Sequence, residues 1–167
     1  FVTSKGKKLL GWDEILEGGL SPNAMVMSWR GTKGGVEAAK QNHDVVMSPN
    51  SYFYLDYYQA DPKTEPIAIG GNLPLSKCYS FEPNLPELTA EEAKHVVGIQ
   101  ANVWTEYISN INYAEYMTYP RALALSEVSW STKESKNYAD FKKRLTGHLP
   151  SMDAMKINYS KAFLSQP

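Results

Sequence analysis

Three short stretches of this chain set an aromatic residue, one spacer and a carboxylate in line: Trp12-Asp13-Glu14, Tyr54-Leu55-Asp56 and Trp104-Thr105-Glu106. An aromatic face beside a carboxylate suits a polar ligand with one apolar face, such as a sugar ring. The ring stacks on the aromatic while its hydroxyls donate hydrogen bonds to the acid. One such triplet alone reads equally well as a half-buried aromatic beside a solvated acid. Repetition favours the first alternative, because each triplet follows or ends an apolar, strand-like run.

The run that leads to the third triplet is Val96–Glu106. Val96, Val97, Ile99 and Val103 give it the β-branched content of a strand interior, and Gln100, Asn102, Trp104 and Glu106 follow at spacing two. If the chain stays extended, those four polar or amphipathic side chains share one face. Upstream, Leu9–Trp12 reads as a strand followed by a short helical turn, Asp13–Glu17, stopped by Gly18-Gly19. After the turn residues Ser21-Pro22-Asn23, Ala24–Trp29 reads as a second strand, and a helix runs from about Gly34 to Gln41 or Asn42. Asp44–Ser48 is a third strand, followed by the aromatic-rich segment Ser51–Tyr58. Residues 59–88 are proline-rich and contain Gly70-Gly71, so no regular structure is expected there, and loops this long commonly serve as binding loops or lids. Thr89-Ala90-Glu91-Glu92 has the form of a capping box. Tyr113–Trp130 has helical spacing, and Pro120 within it predicts either a kink or two helices, the second beginning at Arg121. A last amphipathic helix is expected over Tyr138–Leu149, with a weakly specified tail after Met155.

Strands that alternate with helices predict an α/β protein with a parallel sheet. An open doubly wound sheet and a (β/α) barrel both bind ligands at the carboxyl ends of their strands. The doubly wound sheet usually carries a GxGxxG loop after its first strand, and Gly18-Gly19 lacks that spacing. A barrel fits better, but a closed one takes at least ~200 residues. With 167 residues, the expectation is a single domain over 1–167, a partial (half) TIM-type (β/α) barrel of about four parallel strands with helices.

Composition narrows the function classes. Hydrophobic residues make up 43% and charged residues 21%, as in ordinary soluble domains. A net charge of −1 with no Lys/Arg cluster predicts no nucleic-acid partner and no anionic membrane surface, and favours a neutral substrate. No run is apolar enough to span a membrane. The lone Cys78 excludes an internal disulfide and reads as an inert thiol. His43, His95 and His148 lack metal-ligand spacing, so neither a metal nor another cofactor is expected. The first residues lack a signal peptide's apolar region, and a start at Phe1 suggests a processed or excised fragment.

Taken together and in order, the strand-end motifs resemble the second half of the catalytic barrel of family 20 glycoside hydrolases, the β-N-acetylhexosaminidases. Gly11-Trp12-Asp13-Glu14 resembles the end of that family's fifth barrel strand, and Met27-Ser28-Trp29-Arg30-Gly31 the sixth. Tyr54-Leu55-Asp56 resembles the loop after the seventh, and Gln100–Glu106 the eighth. The resemblance implies hydrolysis of terminal N-acetylhexosamine from glycans by substrate-assisted retaining catalysis, in which the substrate's acetamido oxygen attacks the anomeric carbon. It implies that Tyr54 donates a hydrogen bond to that oxygen. Trp12, Trp29 and Trp104 would wall the pocket, and Asp56 and Glu106 would accept from sugar hydroxyls. It also implies a secreted, periplasmic or lysosomal setting. The family's catalytic Asp-Glu pair and its sugar-gripping Arg belong to segments that precede those matched here. Asp13-Glu14 belongs to a different motif, and as strand neighbours its side chains should point to opposite faces. The family's loop tryptophan has no counterpart in 59–88, where Tyr79 is the nearest stand-in. The isolated chain is therefore expected to be inactive. Without the missing amino-terminal half of the barrel, its open edges should be covered by forming a homodimer. The alternative is a non-catalytic carbohydrate-binding or scaffold α/β domain.

Overall fold

Four short, mostly apolar runs pair into one parallel sheet: β1 (Leu10–Trp12), β2 (Met25–Ser28), β3 (Val45–Met47) and β4 (Val96–Ile99). The structure, a computed structural model, describes residues 1–166. The helices are α1 (Lys33–Lys40), α2 (Asn50–Phe53), α3 (Leu75–Tyr79), α4 (Ala90–Ala93), α5 (Ile111–Thr118), α6 (Arg121–Trp130) and α7 (Tyr138–Ala154). The chain divides into two compact units, the first made of Phe1–Ser51 with Glu82–Gln100. The second is made of Tyr52–Phe81 with the described residues of Ala101–Pro167.

The first unit holds the whole sheet, in the order β1-β2-β3-β4. A doubly wound sheet reverses its strand order at a switch point, whereas a barrel lays its strands down in sequence. The unbroken order identifies this sheet as a barrel sector, as the sequence predicts. Register runs Trp12 to Met27 between β1 and β2, and Ser28 to Met47 between β2 and β3. Between β3 and β4, Val45 pairs with Val96 but Val46 with Gly98, so Val97 is an extra residue and stands 52% exposed. β4 is thus an edge strand with a partly wet face, not the fully buried strand its composition suggests. Helix α1 covers β2 and β3 with small residues, Gly35, Ala38 and Ala39. A Cβ on Gly35 would stand 2.4 Å from Met47 Cε, so the helix lies against the strand only because that side chain is absent.

The second unit is helical, and aromatic rings fill its core. Phe53 meets Phe81 edge-on at 4.9 Å, and Tyr79 stacks on Phe141 at 4.8 Å between ring centroids. Helix α3 forms inside the stretch for which the sequence predicts no regular structure. Its signal is present but brief: Leu75, Cys78 and Tyr79 fall at helical spacing behind Pro74, and all three are buried. Pro120 does separate two helices, α5 and α6. Helix α7 runs on through Pro150 to Ala154, past the expected end at Leu149, and its extension buries Met152. Beyond it Tyr159, Ser160 and Phe163 are buried, so packing fixes a tail that local sequence leaves open. In the first unit the capping box at Thr89 and Glu92 is complete.

Candidate functional site

In the first unit the carboxyl ends of β1 and β2 are tied together by the acidic pair Asp13-Glu14. Just past β1 the chain turns into a 3-10 helix, Asp13–Gly18, with Gly11 packed directly over Ile15. Because residues 13 and 14 lie in this turn and not in a strand, both carboxylates reach the same target. Asp13, only 2% exposed, accepts from the backbone N–H of Trp29 (3.0 Å) and of Arg30 (3.1 Å) through Oδ2. Its Oδ1 takes the Arg30 Nε–H at 2.7 Å. Glu14 accepts the Trp29 indole N–H on both oxygens, at 3.1 and 3.0 Å. That indole bond, with a smaller backbone hydrogen bond, holds the Glu14 carboxyl below its usual value. The expectation that these side chains point to opposite faces is therefore corrected. Both are committed to fixing Trp29 at the end of β2. Trp12, at the end of β1, remains 36% exposed.

In the second unit an isolated β-bridge pairs Tyr54 with Asn102. Leu55 N–H donates to Asn102 O, and Asn102 N–H to Phe53 O, each at 2.8 Å. This bridge sets the loop after β3 beside the segment after β4, and it brings the second and third triplets together. The Tyr54 ring lies edge-on to Trp104 at 6.0 Å and to Tyr57 at 5.9 Å. Asp56, Trp104 and Glu106 line one narrow crevice together with Ile67, Ile69 and Tyr113. The strand-like run stops at Ile99, so Trp104 and Glu106 do not stand on an extended strand face. They reach the crevice through the bridge instead.

Asp56 is the chemically distinctive group of this crevice. It is 6% exposed, and its Oδ1 has no hydrogen-bond partner among the described residues. Burial pushes its carboxyl up from the ordinary range, against a local backbone hydrogen bond that lowers it. The charge of Glu106 adds to the rise and that of Arg121 opposes it. A buried acceptor without a donor is costly. A ligand hydroxyl would relieve it, and Trp104, 39% exposed, offers the apolar face beside it.

Of the residues named from sequence, the structure gathers Tyr54, Asp56, Trp104 and Glu106 in the second unit, while Trp12 and Trp29 end neighbouring strands in the first. Tyr79 is no pocket wall. It is buried, and its hydroxyl donates to Glu127 at 2.8 Å. Sequence reasoning missed Arg30, whose place beside Trp29 in the second strand motif was the available signal, and Arg121, which had none beyond lying in a helix. No group of three or more His, Cys, Asp or Glu among the described residues is arranged to hold a metal ion. No helix among them is long and apolar enough to cross a membrane.

The catalytic-domain model of glycosyl hydrolase family 20 matches residues 1–133. A beta-hexosaminidase of Porphyromonas gingivalis is 49% identical over 163 residues, covering 97% of this chain and 21% of that protein. A beta-N-acetylhexosaminidase of Cellulomonas fimi is 34% identical, covering 91% of this chain and 31% of its own length. Among solved structures, an exo beta-N-acetylglucosaminidase of Vibrio harveyi, in complex with N-acetylglucosamine, superimposes with a TM-score of 0.85 at 35% identity. That match covers 96% of this chain and 26% of the other. The chain thus spans about a fifth to a third of the length of these relatives. With four parallel strands laid down in barrel order and a family match over most of its length, this chain belongs to glycosyl hydrolase family 20.

Proposed function

We propose that this chain is the carboxyl-terminal half of a β-N-acetylhexosaminidase barrel, strands five to eight, and that it supplies the sugar-holding side of the active site. The observation that carries this is Asp56: a buried carboxylate whose Oδ1 has no donor among the described residues, set beside Trp104 and Glu106 in a crevice that Tyr54 adjoins. In the complete enzyme the substrate's acetamido oxygen attacks the anomeric carbon as the glycosidic bond breaks, and an oxazolinium forms. Tyr54 donates to that oxygen, orients it and stabilises the charge that develops. Asp56 and Glu106 accept from ring hydroxyls, and Trp104 offers the ring an apolar face; the family resemblance gives Trp12 and Trp29 the same kind of role. As it stands the crevice has no room even for a water molecule, far short of the ~300 Å³ at which ligand pockets begin. It marks the edge of the sugar site, and the pocket itself forms with the amino-terminal half.

The general acid and its Asp partner lie in that other half, and a general acid alone contributes ~10²–10⁴-fold in rate. The isolated chain is accordingly inactive. Release of nitrophenol from nitrophenyl N-acetylglucosaminide by the pure chain, above a Tyr54→Phe control, overturns this. In isolation the free edges of β1 and β4 pair across a two-fold axis. Sedimentation should show a dimer, and a folded monomer at micromolar concentration refutes it. The same proposal carries the family's secreted, periplasmic or lysosomal setting.

A further inference from the structure

The most deeply buried cation in the chain sits under the second triplet. Arg121, at the start of α6, is 0% exposed and makes no ion pair among the described residues. Its guanidinium instead donates to four backbone carbonyls. Nη2 reaches Leu55 O at 2.5 Å and Met117 O at 2.6 Å, and Nη1 reaches Tyr57 O at 3.0 Å and Leu73 O at 3.1 Å. Two of those carbonyls flank Asp56, and the first belongs to the residue after Tyr54. A third, Leu73 O, belongs to the strand-like segment that Tyr58 joins through its bridge to Asn72. The fourth ties the group to the end of α5.

Taking a guanidinium out of water is expensive, and an apolar side chain of similar volume would fill the same core at less cost. What an apolar side chain lacks is a planar fork of donors that fixes several carbonyls at once. Carbonyls at 55 and 57 held to one point leave the intervening Asp56 with one orientation, its carboxylate toward the crevice. Burial lowers the Arg121 pKa to about 10, which leaves it a cation at neutral pH.

We propose that Arg121 is the positioning residue of the sugar-binding loop, holding Tyr54 and Asp56 in register by clamping the carbonyls of Leu55 and Tyr57. It touches no substrate and acts through those two side chains. This rests on the hexosaminidase reading above, and the test separates the two. In the full-length enzyme containing this chain, Arg121→Lys keeps the charge but loses the fork. It should fold, by circular dichroism and melting, and lower kcat/KM on nitrophenyl N-acetylglucosaminide at least tenfold. In a Tyr54→Phe, Asp56→Asn background the same substitution should change kcat/KM less than threefold, because the groups it positions are gone. Arg121→Gln, which keeps one amide donor group, serves as the second variant and should behave alike. Equal losses in both backgrounds overturn the proposal, as does unchanged activity in a folded variant. Failure of both variants to fold also overturns it, since Arg121 then serves the core as a whole. A full-length wild type without hexosaminidase turnover sinks the hexosaminidase reading itself, and the positioning role with it.

Discussion

Asp56→Asn should make the protein more stable and a poorer binder of sugar. The buried Oδ1 has no donor among the described residues, and a buried unsatisfied acceptor costs about 1–3 kcal/mol. Asparagine is neutral, so it escapes the desolvation and the repulsion by Glu106 that together raise the carboxyl. A gain of about 1 kcal/mol at pH 7 follows, or roughly 2–4 °C in Tm for a chain of this size. The sign with pH is fixed by the direction of the shift. A carboxyl raised in the folded state binds its proton more tightly there, so the wild type loses stability as pH rises from the ordinary carboxyl range through the folded value. The advantage of Asn is therefore full at neutral pH, shrinks as pH falls through the folded value, and vanishes below ~3.9, where both states are protonated. Binding goes the other way. Loss of a charge-assisted hydrogen bond worth about 1.5–3 kcal/mol weakens affinity roughly tenfold or more. Urea melts of both proteins from pH 3 to 8, with calorimetric titration of N-acetylglucosamine into the full-length enzyme, read both effects. A variant that is less stable at pH 7, an advantage independent of pH, or an undiminished affinity refutes the assignment of Asp56.

Asp13→Asn should destabilise by about 2–3 kcal/mol in urea melts, because its amide must face either the two backbone donors of Trp29 and Arg30 or the Arg30 Nε–H. A change under ~0.5 kcal/mol, the range of uneventful surface substitutions, would contradict that clamp. Gly71→Ala meets two obstacles, a φ of +68° and a Cβ placed 2.3 Å from the Tyr57 ring. It should cost ~1–3 kcal/mol and alter the near-ultraviolet circular dichroism as Tyr57 moves against Tyr54; unchanged spectra count against it. Cys78 is fully buried, and its thiol is pushed up to about 12 by that burial. It should resist alkylation at pH 8 until urea unfolds the second unit, and rapid labelling of native protein would contradict this.

What the sequence reveals and what it hides divide along physical lines. Strand identity was legible because β-branched runs such as Val45–Met47 carry a local signal, and their order in the chain proved to be their order in the sheet. The pairing of Tyr54-Leu55-Asp56 with Trp104-Thr105-Glu106 was legible only as a repeated composition. What joins them is the bridge between Tyr54 and Asn102, a contact across 48 residues that no periodicity announces. Asp13-Glu14 was misjudged in geometry because strand alternation was applied to a pair that lies in the helical turn after β1, where the sequence pattern had itself placed it.

Arg121 was the least visible residue, for a reason that follows from its chemistry. An arginine at the start of an amphipathic helix reads as solvated, and its acceptors are main-chain carbonyls, which every residue carries and no composition marks. Two buried charged groups, the Asp56 carboxylate and the Arg121 guanidinium, nevertheless solve different problems. Arg121 spends both terminal nitrogens on main-chain carbonyls, with only its buried Nε lacking a partner among the described residues, so its charge serves the architecture of the loop. Asp56 has a buried oxygen with no donor among the described residues and lies on the crevice beside Trp104, so its charge is the one placed to meet a ligand. Substitutions at the two positions should therefore separate in sign, with Asp56→Asn raising stability while it lowers affinity, and Arg121→Lys lowering stability and turnover together.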